Sequence, residues 1–206
     1  MLRILELILN GGFDPKKELL ELRTEISELR SRIINWEESE LDLLSLNQVE
    51  RSFSKRFSNN VSGIIDSIYH EHMIAYAYRE VSGRKNKAVM YAASNHHEFF
   101  YIIKGSDVQI FVDQHFLGTM NQKGLVYGKN SRRLIARIND YESVVKPIVI
   151  GDKEVAAVLD PLNHDKFNPR AFEYISSKMS HPDFLITLAL AIYTIVDRTR
   201  EEKKLR

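Results

Sequence analysis

The segment Pro182 to Arg198 constrains this chain more than any other. Ser180 offers a candidate cap, Pro182 and Asp183 fit a first helical turn, and Asp197-Arg198 close the run, so the punctuation predicts a helix. Phe184, Leu185, Ile186, Leu188, Ala189, Leu190, Ala191, Ile192, Tyr193, Ile195 and Val196 cover its whole circumference, interrupted by Thr187 and Thr194. Such a helix has no face to give to water. Its apolar run, Phe184 to Val196, is well short of the ~20 residues that span a bilayer. The rest of the chain is therefore expected to wrap it.

The material for wrapping lies between Met73 and Ile175, where short apolar segments alternate with turn residues. Candidate strands are Met73–Val81, Lys87–Ala93, Glu98–Ile103, Val108–Val112, His115–Met120, Leu125–Tyr127, Arg132–Ile138, Pro147–Ile150, Glu154–Leu159 and Ala171–Ile175. Ser82-Gly83, Ser94-Asn95, Gly105-Ser106, Gln122-Lys123-Gly124, Gly128-Lys129-Asn130, Gly151-Asp152 and Asp160-Pro161 separate them. These residues supply positive dihedrals or preset turns, and gaps this short favour antiparallel hairpins over crossover helices. In Arg132–Ile138, Leu134, Ala136 and Ile138 fall on one face, with Arg133, Ile135 and Arg137 on the other. A flat sheet would cover one side of the helix, whereas a curled one satisfies burial and removes open edges. The expected fold class is thus α+β: a closed antiparallel β-barrel-like sheet around a buried apolar C-terminal helix. A helix held between the layers of an ordinary α+β sandwich is the alternative.

Residues 1–69 read as an N-terminal helical arm, and residues 70–206 as the β-rich domain. Asp14-Pro15 is a start signal. Leu19, Leu22, Ile26, Leu29, Ile33 and Trp36 then recur at spacings of three and four, which places them on one apolar seam. After Glu37-Glu38-Ser39-Glu40, a second helical stretch is expected through Leu41, Leu44, Val49, Phe53 and Phe57, giving a helical hairpin or coiled-coil arm. The seam either packs on that second helix or recruits a partner, another copy of the chain included.

Short β-hairpins followed by a terminal, wholly apolar helix resemble the tubby-like superfamily, which includes phospholipid scramblases and LURP-one-related proteins. The segment Val108 to Tyr127, with Asp113 and Leu117-Gly118, is similar to the repeated hairpins of scramblase-type sheets. The resemblance covers about residues 73 to 198. It implies a closed antiparallel barrel, usually of twelve strands, around a central helix, and phosphoinositide-type or other anionic lipid headgroups as a ligand class. The ten strands read here fall short of twelve.

The chemistry-bearing residues match no catalytic pattern. With no cysteine, disulfides, thiolate metal sites and cysteine nucleophiles are excluded, and a reducing, cytoplasmic setting is expected. Met1 to Leu9 is leucine-rich, but Glu6 interrupts it and Asn10-Gly11-Gly12 ends it, which does not read as a signal peptide. His70-Glu71-His72 and His96-His97-Glu98 invite a metal, yet neither has a metal-ligand spacing. No Gly-x-Ser-x-Gly, Gly-rich phosphate loop or calcium loop occurs, and Asp160, Asp165 and Asp183 sit where local hydrogen bonding accounts for them. The expectation is a protein that is not an enzyme and carries no cofactor.

Charge narrows the partners. Twenty-nine basic and 28 acidic residues leave a formal charge of +1, too little to point to nucleic acid. Two basic turns remain as a candidate anion or lipid site: Arg84, Lys85 and Lys87 in one, Lys129, Arg132, Arg133 and Arg137 around the other. They form one site if both turns lie at the same end of the barrel; otherwise they are charges that discourage edge pairing. The resulting expectation is an interaction or adaptor protein that assembles through its helical arm. The alternative is a binder of anionic membrane surfaces.

Overall fold

A computed structural model describes residues 13–53, 60–81, 86–129, 133–138, 144–161 and 169–205. Helix α1 (Pro15–Glu25) and the single turn α2 (Ser27–Arg30) lead through a 3₁₀ turn, Glu38–Leu43, into twelve strands. These are β1 (Leu44–Phe53), β2 (Val61–Ser67), β3 (His72–Glu80), β4 (Lys87–Ala93), β5 (Glu98–Lys104) and β6 (Asp107–Val112). They continue with β7 (His115–Met120), β8 (Leu125–Tyr127), β9 (Leu134–Ile138), β10 (Val145–Ile150), β11 (Lys153–Leu159) and β12 (Phe172–Ile175), before helix α3 (His181–Leu205).

The strands follow one another in sequence order in a single antiparallel sheet. Its two ends meet where Ser45 bridges Arg170, with Leu46 N donating to Pro169 O at 2.7 Å and Ala171 N to Leu44 O at 2.8 Å. Beyond this short contact β12 ends after four residues, so the barrel is nearly closed rather than fully closed. Every strand read from sequence is present, with ends displaced by two residues at most. Ala136 and Ile138 face inward as expected, but Leu134 is exposed, because the β8–β9 register shifts between Val126 and Tyr127.

Helix α3 runs through the interior. Leu188, Ala189, Ala191, Ile192, Ile195 and Val196 are completely buried, and Phe184, Ile186 and Leu190 nearly so. Ser180 and Asp183 cap it reciprocally: Ser180 Oγ accepts from Asp183 N, and Asp183 Oδ2 accepts from Ser180 N and Oγ. Tyr101 on β5 donates its hydroxyl to Ala189 O at 2.7 Å, tying the barrel wall to the helix backbone. Burial first, and then the neighbouring Tyr193, push the Tyr101 pKa well above that of an ordinary tyrosine. The ion pair Lys146–Asp160, 3.7 Å, is also buried.

The expected helical hairpin is corrected. Residues 44–53 and 61–67 are strands of the sheet, so the arm is much shorter than residues 1–69, and these two strands bring the total to twelve. Leu44, Val49 and Phe53 fit a helical spacing, but in a short window such a spacing cannot exclude a strand. Ser45, Asn47 and Ser52 are weak helix formers, and pairing with β2 prevails.

The seam meets the sheet rather than a second helix. Leu22 and Ile26 are fully buried, with Leu19, Leu29 and Ile33 packed beside them, against Ala75, Ala77, Val89, Tyr91, Ala93, Phe100, Ile102 and Phe111 on the outside of β3–β6. Strands β3, β4 and β5 are therefore covered on both faces, and they read as continuous apolar runs. Hydroxyls break the arm helix: Thr24 Oγ1 donates to Leu20 O, Ser27 Oγ to Thr24 O and Ser31 Oγ to Glu28 O. Trp36 leaves the seam and enters the inner core, donating from Nε1 to Met73 O at 3.1 Å and packing 6.2 Å from Phe184.

Candidate functional site

Because each strand reverses the last, alternate connections lie at opposite ends of the barrel. The β2–β3, β4–β5, β6–β7, β8–β9 and β10–β11 connections lie at the entry rim, where α3 begins. The β1–β2, β3–β4, β5–β6, β7–β8, β9–β10 and β11–β12 connections lie at the far rim.

This alternation separates the two basic turns. Lys87 opens β4 at the far rim, whereas Lys129 and Arg133 belong to the β8–β9 connection at the entry rim. The described members of the two turns therefore lie at opposite rims and are not brought together. Arg137 points outward from β9 and is exposed, while Arg84, Lys85 and Arg132 lie outside the described residues, as does Asp165. The central seam residues, Leu22 and Ile26, are buried between the arm and the sheet.

The entry rim gathers groups that are scattered in sequence. His70, His72, His96, His97, His115 and His181 all belong to it. Within each sequence pair one histidine is anchored: His72 Nδ1 lies 2.8 Å from Asp66 Oδ1, and His97 Nδ1 lies 2.7 Å from Asp113 Oδ2. His70 (φ 64°) and His96 are the outer members of their turns. His181, at the start of α3, pairs with Glu38, and its ring lies 5.6 Å from that of His97 above Phe184. Among the described residues no group of three or more His, Asp or Glu is placed to hold a metal ion.

A cleft of about 540 Å³ opens between the arm and two hairpin tips. It is lined by Arg23 of α1, Arg30 of α2, His96, Glu98, Asp113 and Gln114. Arg23 and Arg30, seven residues apart on one side of the arm, both reach Glu98: Arg30 Nη1 lies 2.6 Å from Oε1, and Arg23 Nη2 pairs with Oε2. Arg30 Nη1 also donates to the Tyr91 hydroxyl at 3.2 Å, and the Arg23 guanidinium stands 5.7 Å above the Tyr91 ring. Burial opposes the charge on Glu98, but the Arg30 hydrogen bond and the Arg23 charge outweigh it and hold its pKa below the usual carboxylate range. Burial, reinforced by the charge of Glu98, pushes Tyr91 up to about 12.

Asp113 is fully engaged, accepting from Glu98 N at 2.9 Å through Oδ1 in addition to its contact with His97. On the other side of the arm Arg79 gathers Glu18, Glu21 and Glu25 at 3.6, 2.6 and 2.7 Å, so two ionic clusters flank the apolar seam. Nothing in the sequence alone signals this cleft. Along the chain Arg23 and Arg30 simply lie between the seam positions, and Glu98 follows a histidine pair. Only the docked arm brings them together.

Among the described residues no helix is long and apolar enough to cross a membrane. Comparison with protein-family models, with curated proteins and with solved structures returned no match to this chain.

Proposed function

We propose that this chain is a non-enzymatic binding module of the tubby-like kind, an adaptor that offers the outside of a helix-filled barrel to a protein partner. One observation carries the reading: α3 occupies the barrel interior and is buried on nearly every side, so recognition falls to the rims and the outer wall. The sequential twelve-strand sheet around a C-terminal helix supports the kinship, and a cleft lies on the outside where arm and hairpin tips converge. The arm contributes by building that cleft, not by lending its seam.

Cross-linking in the native host, with the intact chain as bait, tests this. A recurrent polypeptide is expected, linked through Lys129, Lys153 and Lys178, which the topology places at the entry rim. Links confined to Lys87, Lys104 and Lys123 at the far rim, or the absence of any recurrent partner, would remove the reading.

A second reading, a binder of anionic lipid headgroups, is favoured by one feature of the far rim. Lys87 and Lys104 stand directly opposite each other on β4 and β5, and among the described residues neither has a carboxylate within ion-pair distance. Burial and the facing Lys87 both depress the Lys104 pKa. Opposed like charges cost about 0.2–1 kcal/mol. If they serve an anionic surface, Lys104→Met should raise the melting midpoint by ~1–3 °C while weakening binding to anionic vesicles roughly fivefold. A parent protein that does not co-sediment with such vesicles rules this reading out.

A further inference from the structure

We infer that the entry-rim cleft captures a carboxylate of a partner polypeptide, through the hydrogen-bond donors that Arg23 and Arg30 keep after binding Glu98. The inference rests on the binding-module reading and gives the ligand chemistry of its cleft.

The cleft has more donors than it uses internally. A guanidinium carries five N–H donors in a rigid fork, and it pairs best with a planar oxyanion. Glu98 takes one nitrogen from each arginine, which fixes both forks in place yet, among the described residues, leaves most of their donors without a protein acceptor. Among the described residues the buried Arg23 Nε has no hydrogen-bond partner, a condition that leaves a donor's desolvation uncompensated. The two acids of the cleft are already taken, Glu98 by the arginines and Asp113 by His97 and the Glu98 amide. An incoming carboxylate thus meets two guanidiniums, with the carboxylates of Glu98 and Asp113 each already bound, in a cleft wide enough for a side chain or a chain end.

The far lip adds adaptable donors. Asp113 and Gln114 both hold positive φ, 47° and 68°, in the two-residue β6–β7 turn. Such a turn favours Asn-Gly, so a glutamine in the second place is held at a conformational cost. It sets Gln114 in the cleft lining together with the arginines. A carboxylate could come from a glutamate or aspartate side chain or from a C-terminus, and both would use the same forks.

Amide chemical shifts of the intact, isotope-labelled protein separate the outcomes. One probe is a capped five-residue glycine peptide carrying a central glutamate, a second has alanine there and a free C-terminus, and a third is the alanine peptide with both ends blocked. Saturable shifts are expected at His96, His97, Glu98, Asp113 and Gln114 with a carboxylate probe and not with the blocked one. The first probe responding alone identifies a side-chain carboxylate, and the second alone a chain end. Arg30→Gln, at a half-exposed position, should lower affinity about tenfold or more while leaving the near-ultraviolet signal of Trp36 unchanged. Arg30→Lys, which keeps charge but loses the fork, should fall between them.

Equal shifts with the blocked peptide, no shifts up to about 10 mM probe, or an Arg30→Gln variant that binds like the parent would overturn the assignment. If cross-linking still placed a partner at the entry rim, the binding module would stand and only its carboxylate chemistry would fall.

Discussion

Changing Leu188 to aspartate is expected to leave the chain without a stable fold. Leu188 is completely buried at the middle of α3, within the core that the barrel closes around. The exchange removes about 1.5–3 kcal/mol of side-chain burial and places a carboxylate where neither water nor a cation can reach it, adding several kcal/mol more. The sum rivals the whole stability of an ordinary domain, about 5–15 kcal/mol. Leu188→Met, which keeps volume and apolarity, should cost less than about 1.5 kcal/mol. Near-ultraviolet circular dichroism and urea titration of both variants provide the check. An aspartate variant that melts within a few degrees of the parent would mean that this face of α3 is not enclosed.

The second large effect is expected at Gly124→Ala. Gly124 holds φ +70° in the β7–β8 connection, and a Cβ there would stand 1.9 Å from the carbonyl oxygen of Ile138. Both partners are backbone, so no side chain can swing aside. The same contact carries the hydrogen bond from Ile138 N to Gly124 O at 2.9 Å, which joins β9 to this turn. Left-handed strain of ~1 kcal/mol, loss of a buried hydrogen bond and forced movement of the β9 end together predict about 3 kcal/mol or more of destabilisation. Gly105→Ala is the control: its φ of +63° carries the same strain, but a Cβ would meet nothing within 4 Å. If the two variants unfold at the same urea concentration, close approach is not what Gly124 provides.

Local chemistry explains which parts of the fold were legible. The ten strands after Met73 are bounded by residues whose turn preferences act over two or three positions, and neighbouring strands pair with each other, so local signals nearly suffice. Residues 44–67 lacked that advantage. Leu44, Val49 and Phe53 suit a helix by spacing alone, and their strand character comes from pairing with β2, which a single window does not contain. The seam shows the same limit in another form: Leu19, Leu22, Ile26, Leu29 and Ile33 are apolar and helical as read, but periodicity reports that a stripe is buried, not what buries it.

What the sequence determined by itself was the need for enclosure: a helix apolar all round, near the chain end, has a solvation requirement that holds in any fold. Which groups meet outside that enclosure was decided by tertiary structure. Hairpin alternation sent Lys87 and Lys129 to opposite rims. Docking of the arm brought Arg23 and Arg30 to Glu98, 75 and 68 residues away along the chain. Burial is a property of one segment and can be read from it. A cleft exists only between segments, and its charges meet only when the chain has closed.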